Sequence, residues 1–187
     1  IAYAYGEYDQ ALPQLMAAAQ GAGDPAVMGR AYIQAANCCM ELGRTDEEIA
    51  VLEEARDRLG AASNSVQTQM LSEALLRKAN ENPQQRQELY QQALSLLEEL
   101  LAKGYVTFTV EQNTAVVLQV LDRYEEAEAL LMEMEQRYPG DYRVPMRLAL
   151  LYGDLEGSRE TDQRDYSRMA ECWNEARRLY QAAGVQD

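Results

Sequence analysis

Cys38, Cys39 and Cys172 are the strongest nucleophiles this chain could field, and it holds no histidine to activate them. Histidine is the commonest general base and metal ligand at neutral pH, so its absence removes most routes to acid–base or metal chemistry. Cys39 falls on an apolar stripe and Cys172 adjoins Trp173, positions that read as packed thiols. Carboxylate pairs such as Glu47-Glu48 are plentiful, yet they lie on charged helix faces, where such runs serve solubility. No stretch alternates acids with Gly at the spacing of a calcium loop. The expectation is no catalytic, cofactor or metal residue.

Charge narrows the partner. Seventeen basic residues face 31 acidic ones, a net −14. Nucleic acid is excluded, because its binding draws on clustered Lys and Arg to release counterions. Anionic membrane surfaces are disfavoured for the same reason, and no apolar run reaches the roughly 18 residues that span a bilayer. Cys38 and Cys39 diverge by about 100° on a helix and cannot bridge each other. Three cysteines without a secreted disulfide pattern imply a reducing cytoplasm. The chain opens at Ile1, with only Ile1 to Tyr5 before the Gly6 turn. It therefore reads as a fragment of a longer protein, with any targeting information upstream.

Five segments carry one pattern and must build the framework. They are Tyr8/Ala11/Leu15/Ala18, Thr45/Glu48/Leu52/Ala55, Tyr90/Ala93/Leu97/Leu100, Tyr124/Ala127/Leu131/Met134 and Tyr166/Met169/Trp173/Ala176, separated by 37, 45, 34 and 42 residues. A recurring helix with variable connections predicts a helical solenoid. Met28, Ala31, Tyr32, Ala35, Cys39 and Leu42 mark one face of a helix. Asp24-Pro25 opens it and Gly43 ends it. Thr45 is expected to start the partner helix with a capping box to Glu48, and Gly60 to close it. Asp122-Arg123 turns into Tyr124–Tyr138. Pro139-Gly140 stops that helix, and Asp141 can cap the next, which begins around Val144 to Tyr152.

Extra residues fall at 21–23, 60–65, 80–87 and 153–165, with Asn82-Pro83 expected to restart a helix. Pro13 implies that its helix either starts late, near Asp9, or kinks. Tyr105–Val110 alternates like a strand but has no partner, so it is assigned to a linker and a helix start.

These elements resemble tetratricopeptide repeats (TPR). Gly6-x-Tyr8-x-x-Ala11-x3-Leu15-x2-Ala18 and Leu118…Tyr124-x-x-Ala127-x3-Leu131…Pro139 match that family's 34-residue pattern. Tyr32…Ala35-Ala36-x2-Cys39-x3-Gly43 matches its first-helix half. The resemblance implies an all-α, right-handed superhelical solenoid of about five helix pairs: a single array over 1–187 with units near 1–22, 24–60, 64–103, 107–139 and 141–183. Glu48 and Met169 stand where the family has a small residue, and the third unit lacks a turn Gly, so those units are expected to pack with local adjustment. The run Arg137-Tyr-Pro-Gly-Asp-Tyr-Arg143 through Tyr166 also resembles repeat tails of some bacterial serine/threonine kinases, although no kinase motif is present.

In that family the first helix of each pair lines a concave groove that binds proteins or peptides, without catalysis. The groove positions here are Arg30, Ile33, Asn37 and Met40; Thr109, Gln112, Val116 and Gln119; and Arg143, Met146, Arg147 and Leu150. Ser65, Thr68 and Ser72 belong to the third unit, in a register uncertain by one residue. Glu53, Glu54, Glu98, Glu99, Glu125, Glu126 and Glu128 fall on second helices. The implied ligand is an extended or helical peptide, with arginines gripping its carboxylates in forked geometry. Equally open is that these arginines only balance nearby acids. Ile33 occupies the place four before Asn37 where carboxylate-clamping relatives have Lys, so a chaperone-tail clamp is not expected. Met40 and Met146 suit adaptable groove contacts, Met70, Met132 and Met169 the core, and Met134 the space between units. The alternative is a structural array that self-associates or packs on other domains.

Overall fold

The computed structural model describes residues 3–184, and among these it forms nine α-helices, three short 3-10 turns and no strand. Two compact units divide the chain, Ile1–Val106 and Thr107–Asp187. Ile1 and Ala2, which open the shortened first helix expected from sequence, lie outside the described residues.

The first unit holds α1 (Tyr8–Gly21), α2 (Pro25–Glu41), α3 (Thr45–Leu59), α4 (Ser65–Glu81) and α5 (Arg86–Ala102). Each packs against its neighbour in sequence. Short turns leave no other choice, since two helices joined by three to five residues must run back along each other. Tyr32, Ala35, Cys39, Leu52, Leu94 and Leu97 are fully buried between them. Each large side chain so buried contributes about 1.5–3 kcal/mol relative to exposure.

Local chemistry sets the helix ends. Asp24 Oδ1 accepts from Ala26 N at 2.8 Å, and Pro25 takes the first helical position. Gly43 sits at φ +68°, where Arg44 N returns to Cys39 O; only Gly enters that region without strain. Asn64 opens α4 with a reciprocal capping box to Gln67. Pro13 lies inside α1, which begins at Tyr8 and runs on to Gly21. The helix thus starts about where the late alternative put it. Proline's missing N–H leaves the Asp9 carbonyl without its usual donor.

Three local expectations need correction in this unit. Thr45 makes no capping box: Arg44 is the N-cap and no side chain caps α3. Glu48 turns inward instead, 1% exposed, with its carboxylate 2.5 Å from Arg77 Nη2 of α4. Asn82-Pro83 does not restart the helix either. Asn82 closes α4, and α5 begins at Arg86 after a turn in which Gln85 N bonds Asn82 O. Thr68 and Ser72 of α4 are buried, so that helix has the other register. Buried Gln67 explains it, donating to Gly29 O at 3.2 Å and drawing its own side of α4 inward.

The second unit holds α6 (Phe108–Val120), α7 (Tyr124–Arg137), α8 (Arg143–Gly157) and α9 (Ser167–Ala182), again packed in sequence order. The β-leaning stretch resolves as a linker and helix start: Thr107 Oγ1 caps α6 by accepting from Val110 N at 3.2 Å. Asp141 Oδ1 accepts from Arg143 N at the start of α8. Two packing expectations fail here. Met132 is 49% exposed on α7, and Trp173 is 41% exposed although Leu52, Leu97 and Leu131, its counterparts in the repeat, are buried. No following helix covers Trp173 among the described residues. Met169 does fill a gap, against Gly153 of α8, where a Cβ would stand 3.3 Å from its sulfur. Across the described residues no helix is long and apolar enough to cross a membrane.

Candidate functional site

Each unit presents its own first-helix face. In the first unit α2 places Arg30 and Met40 in solvent and leaves Ile33 and Asn37 half-buried. Their spacing of three and four keeps them on one side of the helix. Beside Arg30 lies a cavity of about 420 Å³, lined by Pro25, Ala26, Gly29, Ala62 and Asn64. On α4, Ser65 stays half-buried, and Val66, not Thr68, is the exposed apolar residue. Thr68 Oγ1 instead accepts from Arg56 Nη1, and Ser72 Oγ donates to Gln69 O.

In the second unit α6 and α8 carry the predicted residues on helices joined through α7. Thr109 is exposed, while Gln112, Val116 and Gln119 are half-buried along α6. On α8 Arg143 and Leu150 are exposed and Met146 and Arg147 half-buried. Gln119 Nε2 donates to Asp154 Oδ2 at 2.6 Å. The two arginines differ. Arg143 donates through Nε and Nη2 to both oxygens of Asp141, at 2.9 and 2.6 Å. Its guanidinium also stacks 3.8 Å above the Phe108 ring, a cation–π contact. That fork is occupied, and the Asp141-x-Arg143 spacing was the sequence signal for it. With the Gln112 amide oxygen turned toward it, Arg147 donates through Nε and Nη2 at 3.3 and 3.2 Å. Burial holds its guanidinium below the usual arginine range.

Four other polar clusters bind helices together and were invisible in sequence, since their members lie many residues apart. Besides Glu48–Arg77, Glu111 is 1% exposed, accepts from Tyr138 Oη at 2.7 Å and pairs with Arg137. Tyr32 Oη donates to Glu54 and accepts from Arg58, which also reaches the last carbonyls of α1. Tyr152 Oη donates to Glu128 at 2.7 Å, while Arg168 bonds both and lies over the Tyr152 ring. Buried polar groups need such partners. The clusters are saturated, so they read as fasteners of the fold.

The thiols are poor nucleophiles. Burial, helped by Glu47 and Glu48, pushes Cys39 up to about 11, and burial raises Cys38 and Cys172 as well. All three are unbridged, with Cys38 and Cys39 buried and Cys172 half-buried. A thiol raised this far carries almost no thiolate at neutral pH. Among the described residues no group of His, Cys, Asp or Glu is arranged to hold a metal ion.

No family model matches the sequence, and no curated protein matches it significantly. Solved structures do. A crystal structure of MamA superposes with a TM-score of 0.75 at 13% identity, covering 98% of this chain and 94% of that one. MamA from Desulfovibrio magneticus RS-1 gives 0.64 at 19%, over 84% and 76%. A thermophilic TPR protein of Thermus thermophilus gives 0.64 at 20%, over 98% and 87%. At such identities the likeness establishes the fold, which is all-α and TPR-like.

Proposed function

We propose that this TPR-like chain is a non-catalytic protein-interaction module, binding a peptide or protein partner along its first-helix faces. One observation carries the reading: the two kinds of helix present different chemistry. Val27, Met40 and Val66 stand exposed on α2 and α4, as Val120 and Leu150 do on α6 and α8. The second helices are richer in exposed acids, Glu53, Glu98, Glu125 and Glu126 among them, although Met132 and Trp173 are exposed beside these. A neutral, partly apolar strip on a strongly acidic chain is the place where water is most cheaply displaced. Peptide selection on the immobilised protein, followed by chemical-shift mapping, tests this. Perturbations are expected at Ile33, Asn37 and Met40, or at Val116, Met146 and Leu150. Perturbations confined to α3, α5 and α7 reject it.

A second reading rests on Trp173, exposed where Leu52, Leu97 and Leu131 are buried and Leu15 half-buried. In it α9 packs against another element or a second copy of the chain. Trp173 emission that shifts to the blue as protein concentration rises supports self-association. Emission unchanged up to high concentration counts against a second copy. Free thiols suit a reducing cytoplasmic setting for either reading. Attachment to a bacterial kinase-like protein, which the stretch from Arg137 to Tyr166 resembles, would make this module the part that recruits a partner.

A further inference from the structure

We infer that the α6–α8 face of the second unit is built around Arg147 to receive one internal Asp or Glu side chain of an otherwise neutral peptide. This rests on the interaction-module reading and narrows it to one residue and one ligand class. Arg56, Arg77, Arg137 and Arg168, which also reach between helices, each meet a carboxylate. Arg147 does not: its partner is an amide oxygen, although the chain carries an excess of 14 negative charges. Arg30, Arg58, Arg86, Arg164 and Arg177 also show no carboxylate partner among the described residues, but all are exposed and water solvates them. Half-burying a guanidinium without a counterion is unfavourable, and the penalty persists until an anion arrives.

The nearby acids are committed elsewhere. Glu111 is held by Arg137 and Tyr138, Asp141 by Arg143, and Asp154 by Gln119. A guanidinium has five N–H donors, and Gln112 occupies only the edge formed by Nε and Nη2. The outer edge, through Nη1 and the second Nη2 proton, remains for a carboxylate to fork. Val116, Met146 and the 40% exposed Leu150 flank the site, so apolar residues beside the acid would be covered. Arg147 lies between Arg143 and Leu150 on α8, and Gln112 between Thr109 and Gln119 on α6. A chain bound there continues in both directions, which favours a side-chain carboxylate over a C-terminal one. The uncharged Thr109, Gln112 and Gln119 suit the amides of such a backbone.

The test uses the full chain and a library of N-acetylated, C-amidated random nonapeptides, with a matched library bearing free C-termini. Enrichment of Glu or Asp next to Leu, Ile, Val or Met is expected. For the best peptide, the preference for Glu over its Gln counterpart should be about tenfold and vanish in Arg147→Gln, whose fold is checked by circular dichroism. Arg177→Gln on α9, where Arg177 bonds Asn174, should leave that preference within about twofold, and Arg147→Lys should keep part of it. Enriched apolar peptides without an acid, or an acid preference intact in Arg147→Gln, overturn this inference and leave the interaction module standing. Selection of free C-termini over internal acids overturns it in favour of an α-carboxylate. A library yielding no binder to either first-helix face overturns both.

Discussion

Glu48 in the first unit and Met169 in the second break the same packing rule, and the chain answers them by opposite means. At the equivalent position Ala11, Ala93 and Ala127 are buried with nothing beyond Cβ, which lets neighbouring helices close in. Glu48 fits through charge: its carboxylate is buried, and Arg77 reaches in from α4 to meet it. Met169 fits through volume: its thioether fills the place where a side chain on Gly153 of α8 would go. The small residue is therefore a rule about the space across a helix crossing, not about one residue's identity. A chain can depart from it wherever the facing helix supplies the complement.

The largest test of that difference is Arg77→Ala. It leaves a carboxylate buried without a cation, a change that costs about 3–5 kcal/mol in a fully enclosed pair. Arg77 is 37% exposed, so water replaces part of it and a loss of about 2 kcal/mol is expected at pH 7. The loss should depend on pH. Burial, outweighing the attraction of Arg77, raises the Glu48 carboxyl above its ordinary 4.5. The folded state then holds the proton more tightly than the unfolded one, and stability falls as pH rises through the window above 4.5. Without Arg77 that fall deepens, so the gap between variant and wild type in urea unfolding should shrink from pH 7 to pH 4. An identical gap at both pH values would show that Arg77 acts by packing alone.

Much of this framework was legible because it is local. Period, caps and turn glycines lie within a few residues of one another, and Asp24 and Gly43 act where the sequence placed them. The exposed and half-buried positions on α2, α6 and α8 follow from helical period as well. What escaped was everything set by a second helix. Thr45 and Glu48 have capping-box spacing, yet a guanidinium 29 positions away offered Glu48 a better partner. The α4 register turned on Gln67 finding the Gly29 carbonyl. The filled fork of Arg143 lies two residues from Asp141 and is local, whereas only the meeting of α6 and α8 shows Arg147 facing the Gln112 amide.

On the volume side, Gly153→Leu should destabilise the second unit by about 1 kcal/mol. Overpacking against Met169 costs about 1–3 kcal/mol, and replacing helical Gly returns up to about 1 kcal/mol in propensity. Met169→Ala should rescue it, because the smaller alanine vacates the space that the introduced leucine side chain needs. The double-mutant cycle then reports a coupling of about 1 kcal/mol, read from urea unfolding of the four proteins. No coupling would mean that α8 and α9 adjust by sliding, and that the Met–Gly fit is incidental. Unlike Arg77→Ala, this loss should be flat between pH 5 and pH 8, since no titrating group is involved.

The smallest effect separates the two tyrosine clusters. Tyr32 and Tyr152 each donate to a glutamate at 2.7 Å, but Arg58 spends its other donors on α1 carbonyls while Arg168 bonds Glu128 directly. Tyr152→Phe therefore leaves Glu128 with a cation, and the expected loss is about 1 kcal/mol or less at pH 7. The Tyr152 hydroxyl first, then Arg168, holds the Glu128 carboxyl below its ordinary 4.5 despite partial burial. A carboxyl depressed on folding contributes stability that is present above 4.5 and lost as pH falls through its folded value. The deficit of Tyr152→Phe should thus fade in acid, as the wild type loses what the variant already lacks. A deficit that persists unchanged at pH 3 would assign the hydroxyl's contribution to packing against Arg168 and detach it from the charge on Glu128.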